Sequence, residues 1–153
     1  MMIRRMDGRD REAWIAMARD FYQGPGVLSP VPEENFARTF DLLTAGSPFV
    51  DGFAADFKKH LLGSLLISLE WSNEAGGMVV WLEELYVRPE CRGKGIGTAL
   101  IRHALTEYSG KARRFRLEAE PANESAIRLY RKLGFRDFPY HQMILTPGGE
   151  NPG

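Results

Sequence analysis

The chain has 153 residues, of which 44% are hydrophobic and 26% are charged. This composition is typical of a globular domain and excludes a disordered chain, a collagen-like repeat and a coiled coil. Twenty basic residues balance twenty acidic ones, so the net charge is zero. The basic excess that marks a dedicated nucleic-acid-binding protein is missing, and we expect no nucleic-acid partner.

The cysteine content and the lengths of the apolar runs indicate the cellular compartment of the protein. Cys91 is the only cysteine, which excludes an intrachain disulfide and a multi-cysteine zinc cluster. The three histidines are scattered and predict no metal site. The first twelve residues lack the apolar stretch of a secretory signal, and residues 61–69 are too few to span a bilayer, which takes ~20 residues. We therefore expect a cytoplasmic protein with no membrane partner.

The first half of the chain predicts a strand, two helices and three further strands. Apolar residues at helical spacing indicate the helices, and a loop rich in glycine and proline at residues 23–32 separates them. Runs rich in leucine, valine and aromatic residues, separated by short turns, indicate an antiparallel meander. The predicted elements are a strand at 3–6, helices at 10–22 and 32–43, and strands at 49–57, 61–71 and 78–87.

The second half of the chain predicts helices that alternate with strands. Helical spacing indicates helices at 96–108 and 123–133, and strands are predicted at 114–119 and 140–145. Residues 146–153 contain two prolines and three glycines, which indicates a flexible C-terminal tail. The elements together predict an α+β fold in a single domain over residues 1–145.

Charge is distributed unevenly along the sequence. Residues 1–87 hold 8 basic and 13 acidic residues, whereas residues 88–153 hold 12 basic and 7 acidic residues. This division favours an anionic ligand at the C-terminal half and a cationic ligand near the N-terminal half, although two differently charged surfaces would give the same counts.

A glycine-rich loop between a strand and a helix predicts an anion site. Its glycines let the backbone approach a ligand closely, and the free N–H groups of the first helical turn carry positive partial charge. Two cationic side chains add full charges, so the loop suits a phosphate or pyrophosphate. The loop residues are Arg92, Gly93, Lys94, Gly95, Ile96, Gly97 and Thr98.

Two other phosphate-binding loops do not fit these residues. A Walker A loop needs four residues between its first glycine and Gly-Lys-Ser/Thr, but Lys94 directly follows Gly93. A dinucleotide fingerprint needs G-x-G-x-x-G, whereas this loop has G-x-G-x-G. A nucleotide enzyme with a phosphate loop is therefore disfavoured. A glycine-rich turn with solvated cations stays open as the simpler interpretation.

The loop and two flanking segments resemble the GCN5-related N-acetyltransferase (GNAT) superfamily. Residues 92–97, RGKGIG, match its Arg/Gln-x-x-Gly-x-Gly/Ala signature. Residues 85–90 resemble the strand end that leads into this loop, and residues 121–135 resemble the second motif, an Asn, a helix with Tyr, and Gly-Phe. The resemblance implies a mixed α/β GNAT fold. Its mostly antiparallel central sheet has six to seven strands, splayed between strands 4 and 5, and about four flanking helices.

The resemblance implies that acetyl-CoA lies in the gap between strands 4 and 5. Its pyrophosphate is then expected on the amides of Gly93 to Thr98, and its pantetheine arm on backbone groups of Leu85 and Val87. Asn123 is expected to hydrogen-bond the arm. The residues expected to bind the cofactor, besides the loop, are Leu85, Tyr86, Val87, Asn123 and Ser125.

The resemblance also implies direct transfer of the acetyl group to a primary amine in a ternary complex. Tyr130 matches the family tyrosine that protonates the departing sulfur, and a phenol is a proton donor at neutral pH. Position 130 also lies on the apolar face of its helix, so a purely structural aromatic residue is the alternative.

The base that deprotonates the amine is expected among four glutamates. Strand alternation predicts that Glu83 and Glu84 point to opposite faces, and only Glu83 then faces the cleft on the side of Leu85. Glu83, acting directly or through water, is the favoured base, with Glu84 as runner-up. Glu118 and Glu120 on the next strand remain candidates.

The sequence leaves several alternatives for the acceptor and for the oligomeric state. The acidic N-terminal half and the glutamate pair favour a small cationic amine such as a polyamine, with an amino sugar or a lysine side chain as alternatives. A non-catalytic module of the same fold that senses acyl-CoA is the competing function. Dimers are common among proteins that the chain resembles, so a homodimer stays open.

Overall fold

The structure, a computed structural model, describes residues 1–24 and 30–149. In that part of the chain, four helices surround one five-stranded sheet. The strands are β1 (Met2–Arg5), β2 (Val50–Phe57), β3 (His60–Ser72), β4 (Gly77–Val87) and β5 (Ala112–Leu117). The helices are α1 (Arg11–Tyr22), α2 (Glu33–Thr44), α3 (Ile96–Tyr108) and α4 (Glu124–Lys132).

The strands follow each other across the sheet in chain order. Neighbouring strands from β1 to β4 are antiparallel, whereas β4 and β5 are parallel. Parallel neighbours need a crossover connection, and α3 supplies it between β4 and β5. The glycine-rich loop therefore lies where β4 leads into this crossover helix.

Each face of the sheet is covered by a pair of helices. Side chains alternate along a strand, so the central strands carry apolar residues on both faces. One face packs against α3 and α4, and the other packs against α1 and α2. The largest completely buried side chains are Met17, Phe40, Phe53, Leu65, Ile67, Val79, Val80, Leu100 and Ile101.

The structure confirms the mixed α+β architecture, the mostly antiparallel sheet and the four helices. Each predicted helix lies within two residues of the observed one, and α3 coincides with its predicted bounds. The predicted loop at 23–32 and the predicted tail at 146–153 lie partly outside the described residues.

The predicted number of six to seven strands is wrong for the described part of the chain, where the sheet has five. Residues 140–145, predicted as a strand, belong to no ladder, and the Ile144 side chain is 68% exposed. A strand needs a neighbour for its backbone groups as well as suitable side chains, and this segment has only the side chains.

The described residues contain neither a membrane-spanning helix nor a cluster of metal ligands. Within residues 1–24 and 30–149, no helix is long and apolar enough to cross a membrane. In the same ranges, no three His, Cys, Asp or Glu side chains come together as a metal ion would require.

A buried ion-pair network joins β1, β2 and the start of α1. The Arg4 guanidinium donates to both carboxylate oxygens of Asp10 at 2.8 Å and to Asp56 at 2.8 Å. The side chains of Arg4 and Asp10 are only 15% and 6% exposed. We expect Asp10→Ala to lower the free energy of unfolding by about 3 kcal/mol, because it leaves a buried cation with one partner fewer.

Urea unfolding followed by circular dichroism measures this effect. Glu34→Ala is the control, because Glu34 makes an exposed ion pair with Arg38 at 3.6 Å, and such pairs contribute less than about 1 kcal/mol. Equal unfolding midpoints for the two variants would show that the Arg4 network does not stabilise the fold.

Candidate active site

The structural basis of the site is the divergence of β4 and β5. Their last paired residues are Leu82 and Leu117, after which β4 continues to Val87 while β5 ends. A cleft with a volume of about 120 Å³ opens at this point. Side chains of Glu83, Leu85, Glu118, Glu120, Asn123 and Tyr130 line it. The structure thus brings together the predicted acid, the favoured base and both alternative glutamates, although Glu118 and Glu120 follow the end of β5 and do not lie in the strand as predicted.

Backbone groups of β4 face this cleft. The amide of Arg88 donates to the carbonyl of Leu62 in β3 at 2.9 Å. Because backbone groups alternate in direction along a strand, those of Val87 and Leu85 turn away from β3. Arg92 Nε donates to the Val87 carbonyl at 3.0 Å on that side. An extended ligand could therefore pair with β4 as an added strand.

The glycine-rich loop adopts a conformation that requires glycine. Gly93 and Gly95 have φ angles of 74° and 77°, in the left-handed region that other residues rarely adopt. Gly95 is the N-cap of α3, and no side chain caps this helix in the described part of the chain. The amides of its first turn, at the positive end of the helix dipole, are thus available to an anion.

Two cationic side chains belong to the same loop. Lys94 Nζ donates to the carbonyl of Glu90 at 3.0 Å, and the Arg92 guanidinium lies 5.9 Å from the centre of the Tyr86 ring. Both side chains are exposed, so they add positive charge without closing the loop. This combination of amides and cations suits a pyrophosphate.

Tyr130 lies on the inner face of α4, half-buried against the apolar core. Its ring meets the Phe135 ring edge to face, with 6.2 Å between the ring centres. Burial raises the pKa of the Tyr130 phenol, so the hydroxyl stays protonated at neutral pH. The residue therefore packs as a core aromatic and also presents a proton donor to the cleft.

Asn123 and Ser125 position the start of α4. Asn123 is the N-cap, and its side-chain oxygen accepts from the Ala126 amide at 3.4 Å and from the Ser125 hydroxyl at 3.3 Å. The amide nitrogen of the Asn123 side chain keeps its two donors for a ligand in the cleft. Ser125 is exposed and contacts the cleft only through Asn123.

A β-bulge places Glu83 and Glu84 differently from the prediction. Leu66 of β3 pairs with Glu84 and Ile67 pairs with Leu82, so Glu83 is an extra residue. The extra residue interrupts the alternation of the strand, and the prediction that the two glutamates point to opposite faces is wrong.

Both carboxylates contact the face of the sheet that α1 and α2 cover. The Ser68 hydroxyl donates to Glu83 at 2.5 Å, and the Tyr22 hydroxyl donates to Glu84. Glu83 is exposed, whereas Glu84 is half-buried. The bulge thus puts both carboxylates on one face of the sheet, where Glu83 lines the cleft and Glu84 contacts Tyr22.

Burial and charge control the ionisation of Glu84. Burial raises the pKa of the Glu84 carboxyl, the charge of Glu83 raises it further, and the hydrogen bond from Tyr22 acts in the opposite direction. Burial and the same hydrogen bond raise the pKa of Tyr22. Tyr22 also stacks on Phe36, with 5.5 Å between the ring centres. The last turn of α1 thereby connects the acidic pair to an aromatic surface.

Tyr22 and Tyr86 both pack on the face of the sheet that α1 and α2 cover. Tyr22 was missed, since its partner Glu84 lies 62 residues further along the chain and no local motif links them. A cofactor contact of Tyr86 stays a prediction, and its side chain is buried on the α1 and α2 face, where it donates to Asp20 at 3.2 Å. Of its two neighbours, Leu85 lines the cleft, and the Val87 carbonyl turns away from β3 to accept from Arg92.

A family model extends across most of the chain and includes the cleft. The model of the acetyltransferase (GNAT) family matches residues 11–135. The chain belongs to the GNAT acetyltransferase family. The matched residues contain every element that lines the cleft, from α1 to α4, so the geometry described above is that of a GNAT domain.

Curated proteins show the same kinship. The chain is 30% identical over 140 residues to an uncharacterized N-acetyltransferase of Methanocaldococcus jannaschii, covering 90% of this chain and 79% of that protein. It is 40% identical over 62 residues to the thialysine N-epsilon-acetyltransferase of Sus scrofa, and these residues are 40% of this chain and 36% of that protein. The second match therefore spans about a third of its relative.

A solved structure supports the fold. An aminoglycoside N-acetyltransferase in complex with CoA superimposes with a TM-score of 0.78 at 19% identity, covering 95% of this chain and 94% of that chain. At this identity the likeness establishes the GNAT fold alone.

Proposed function

We propose that this chain transfers the acetyl group of acetyl-CoA to the primary amine of a small cationic molecule, by direct attack within a ternary complex. The observation that carries the proposal is the cleft between β4 and β5. It brings Tyr130 and Glu83 together and is lined by Leu85. The Leu85 side chain in turn lies beside Gly97 in the first turn of α3, a helix that lacks a side-chain cap in the described chain. Membership of an acetyltransferase family supports the same reaction class.

The chain offers a binding partner to each part of coenzyme A. The amides of Gly93 to Thr98, with Arg92 and Lys94, would hold the pyrophosphate. The backbone groups of Leu85 and the amide of Val87 would pair with the pantetheine arm, because the Val87 carbonyl already accepts from Arg92. Asn123 lines the same cleft and would donate to the arm. The thioester would then lie between β4 and Tyr130.

The reaction is a nucleophilic acyl substitution. The neutral amine nitrogen attacks the thioester carbonyl carbon, the C–N bond forms, and the C–S bond breaks. Glu83, which is exposed in the cleft, takes the proton that the amine loses, directly or through water. Tyr130 donates a proton to the departing sulfur. The products are an acetylated amide and the free thiol of coenzyme A.

Negative charge and aromatic rings favour a cationic acceptor. Glu83, Glu84 and Asp20 lie on or near the side of the cleft formed by α1, and Tyr22 stacks on Phe36 beside them. A protonated amine is attracted by carboxylates and by the faces of aromatic rings. The name of the porcine relative refers to an amino group at the end of a side chain, which supports an acceptor of this kind.

We expect Tyr22→Phe to shift the acid limb of kcat/KM to higher pH by about one unit. The Tyr22 hydroxyl stabilises the Glu84 carboxylate, and a hydrogen bond to a charged group contributes about 1.5–3 kcal/mol, or roughly one to two pKa units. Its loss therefore raises the pKa of Glu84. The carboxylate that attracts the amine then forms only at higher pH.

The pH dependence of kcat/KM in the two proteins tests this effect. Tyr140→Phe is the matched control, because the Tyr140 hydroxyl donates to Glu74 on the surface, away from the cleft. An acid limb that stays in place in the Tyr22 variant would show that Glu84 does not titrate in the measured step.

The release of CoA thiol from acetyl-CoA across a panel of amines tests the proposed function. The panel contains a polyamine, a lysine derivative, an amino sugar and an uncharged primary amine, and mass spectrometry identifies the acetylated product. We expect thiol release to depend on the amine and to be fastest with a cationic one. Tight CoA binding without thiol release for any amine would overturn the proposal in favour of an acyl-CoA sensor.

A further inference from the structure

One cation of the sheet, Arg116 in β5, has no bound carboxylate among the described residues. Its guanidinium makes neither a hydrogen bond nor an ion pair with any of them. Arg114, two residues earlier, pairs with Glu74 at 2.8 Å, and the other oxygen of Glu74 accepts from the Tyr140 hydroxyl at 2.7 Å. Arg116 is half-buried, so a charge that is partly shielded from water lacks a partner of opposite sign in this part of the chain.

Two aromatic rings contact this guanidinium. It lies 4.1 Å from the centre of the Trp81 ring and 4.9 Å from the centre of the Phe138 ring. Both distances are within the ~6 Å at which an aromatic face attracts a cation. Stacking on a ring leaves the N–H groups at the rim of the guanidinium unused, and these groups match the two oxygens of a carboxylate. Arg116 is therefore a positioned cation that can accept a carboxylate ligand.

Arg116 lies on the same face of the sheet as Glu83. Ser68 and Trp81 are directly opposed in β3 and β4, so their side chains share a face, and the Ser68 hydroxyl donates to Glu83. Trp81 in turn pairs with Arg116 in β5, and its ring contacts the guanidinium. Across the sheet, Trp81 therefore separates a carboxylate that lines the cleft from an unpaired cation of the described chain.

The span from this carboxylate to the cation suits a small molecule. Ser68, which binds Glu83, and Arg116 are two strands apart, which is about 10 Å at the usual spacing of strands. An extended chain of about six bonds, each about 1.5 Å long, covers most of that distance. A diamino acid such as lysine has a chain of this length between its terminal amine and its carboxylate.

We propose that Arg116 binds a carboxylate of the acceptor while the reacting amine of the acceptor lies at Glu83. The acceptor is then a diamino acid or a similar molecule, with a primary amine at one end and a carboxylate at the other. Arg116 determines specificity and takes no part in the chemical step. This assignment rests on the proposed function and names the class of its acceptor.

The same cation disfavours a polyamine. A polyamine with one amine at Glu83 brings its second ammonium group toward Arg116, and like charges repel. A carboxylate in that place is attracted instead and gains charge-assisted hydrogen bonds. Opposite charges at the two ends of the site thus select the acceptor by the arrangement of its charges, in addition to its net charge.

Two probes that differ only in the carboxylate test the assignment. Nα-acetyl-lysine and its primary amide carry the same side-chain amine, and thiol release from acetyl-CoA gives kcat/KM for each. We expect the wild type to favour the carboxylate at least about tenfold and Arg116→Gln to lose this preference, because a hydrogen bond to a charged group contributes that much. Arg114→Gln is the matched control, since Arg114 already pairs with Glu74, and it should keep the preference of the wild type.

The outcomes separate this assignment from the proposed function. Equal kcat/KM for the two probes in the wild type would overturn the role of Arg116 and leave the acetyl transfer intact. An unchanged preference in a folded Arg116→Gln protein would do the same. Thiol release with a polyamine but with neither probe would also overturn the assignment.

Binding without turnover supplies a second test, which remains decisive if no amine reacts. In calorimetric titrations of the CoA-bound protein, we expect Nα-acetyl-lysine to bind the wild type at least about tenfold more tightly than it binds Arg116→Gln, whereas the amide should bind both alike. Equal affinities of the two proteins for Nα-acetyl-lysine, or no binding to either, would overturn the assignment. If Arg116→Gln does not fold, the affinities of the wild type for Nα-acetyl-lysine and for its amide decide, and equal values would contradict a carboxylate site.

Discussion

Tyr130→Phe is expected to lower kcat at least about a hundredfold, because a positioned general acid contributes ~10²–10⁴ in rate. Phenylalanine keeps the ring that packs against Phe135 and the core, so the fold and the Kd for CoA should change little. Only the hydroxyl, which burial keeps protonated, is removed. Steady-state kinetics with acetyl-CoA and calorimetric titration with CoA measure the two quantities separately.

A second tyrosine variant serves as the control for the loss of a hydroxyl group. Tyr140→Phe removes an exposed hydroxyl that bonds Glu74 and should leave both kcat and the Kd unchanged. If Tyr130→Phe has the kcat of the wild type, Tyr130 is a packing residue and the sulfur takes its proton from water or another group.

Gly97→Glu is expected to weaken CoA binding at least about a hundredfold, or about 2.7 kcal/mol. A Cβ at position 97 would lie 3.4 Å from Leu85 Cδ2, which is an ordinary contact, so the added carboxylate extends from the first turn of α3 toward the cleft. There it would occupy the space beside the free amides and repel the pyrophosphate. Gly97 has no left-handed φ, so the backbone of the loop should tolerate the change.

Gly110→Glu supplies the matched control for charge and size. Gly110 lies just beyond the C-terminal end of α3, and a Cβ there meets no atom within 4 Å. Calorimetric titration with CoA gives both affinities, and thermal unfolding checks that both variants are folded. A folded Gly97→Glu protein with wild-type affinity would show that CoA binds somewhere other than the start of α3.

Features set by local sequence were predicted well. The bounds of α3 follow from its apolar spacing and from the glycines that precede it, and the structure reproduces them. Residues 92–98 form a short contiguous motif, so their position before a helix could be predicted without tertiary contacts. The left-handed conformations of Gly93 and Gly95 explain why the motif contains glycine at these positions.

Features set by distant partners were not predicted. The bulge at Glu83 arises from the register between β3 and β4, which no alternation pattern within one strand reveals. The hydrogen bond between Tyr22 and Glu84 depends on how α1 packs on the sheet. The strand predicted at residues 140–145 has suitable side chains but no neighbour in the described chain, and propensity alone cannot supply one.

The central claim is that coenzyme A binds in the cleft between β4 and β5 with its pyrophosphate at the start of α3. The most direct test maps the changes that CoA causes in the amide NMR spectrum of the labelled wild-type protein. We predict that the largest chemical-shift changes occur at Gly93 to Thr98, with further changes at Leu85, Val87 and Asn123. Changes confined to α1, α2 or β1, with the amides of the glycine-rich loop unaffected, would contradict the claim.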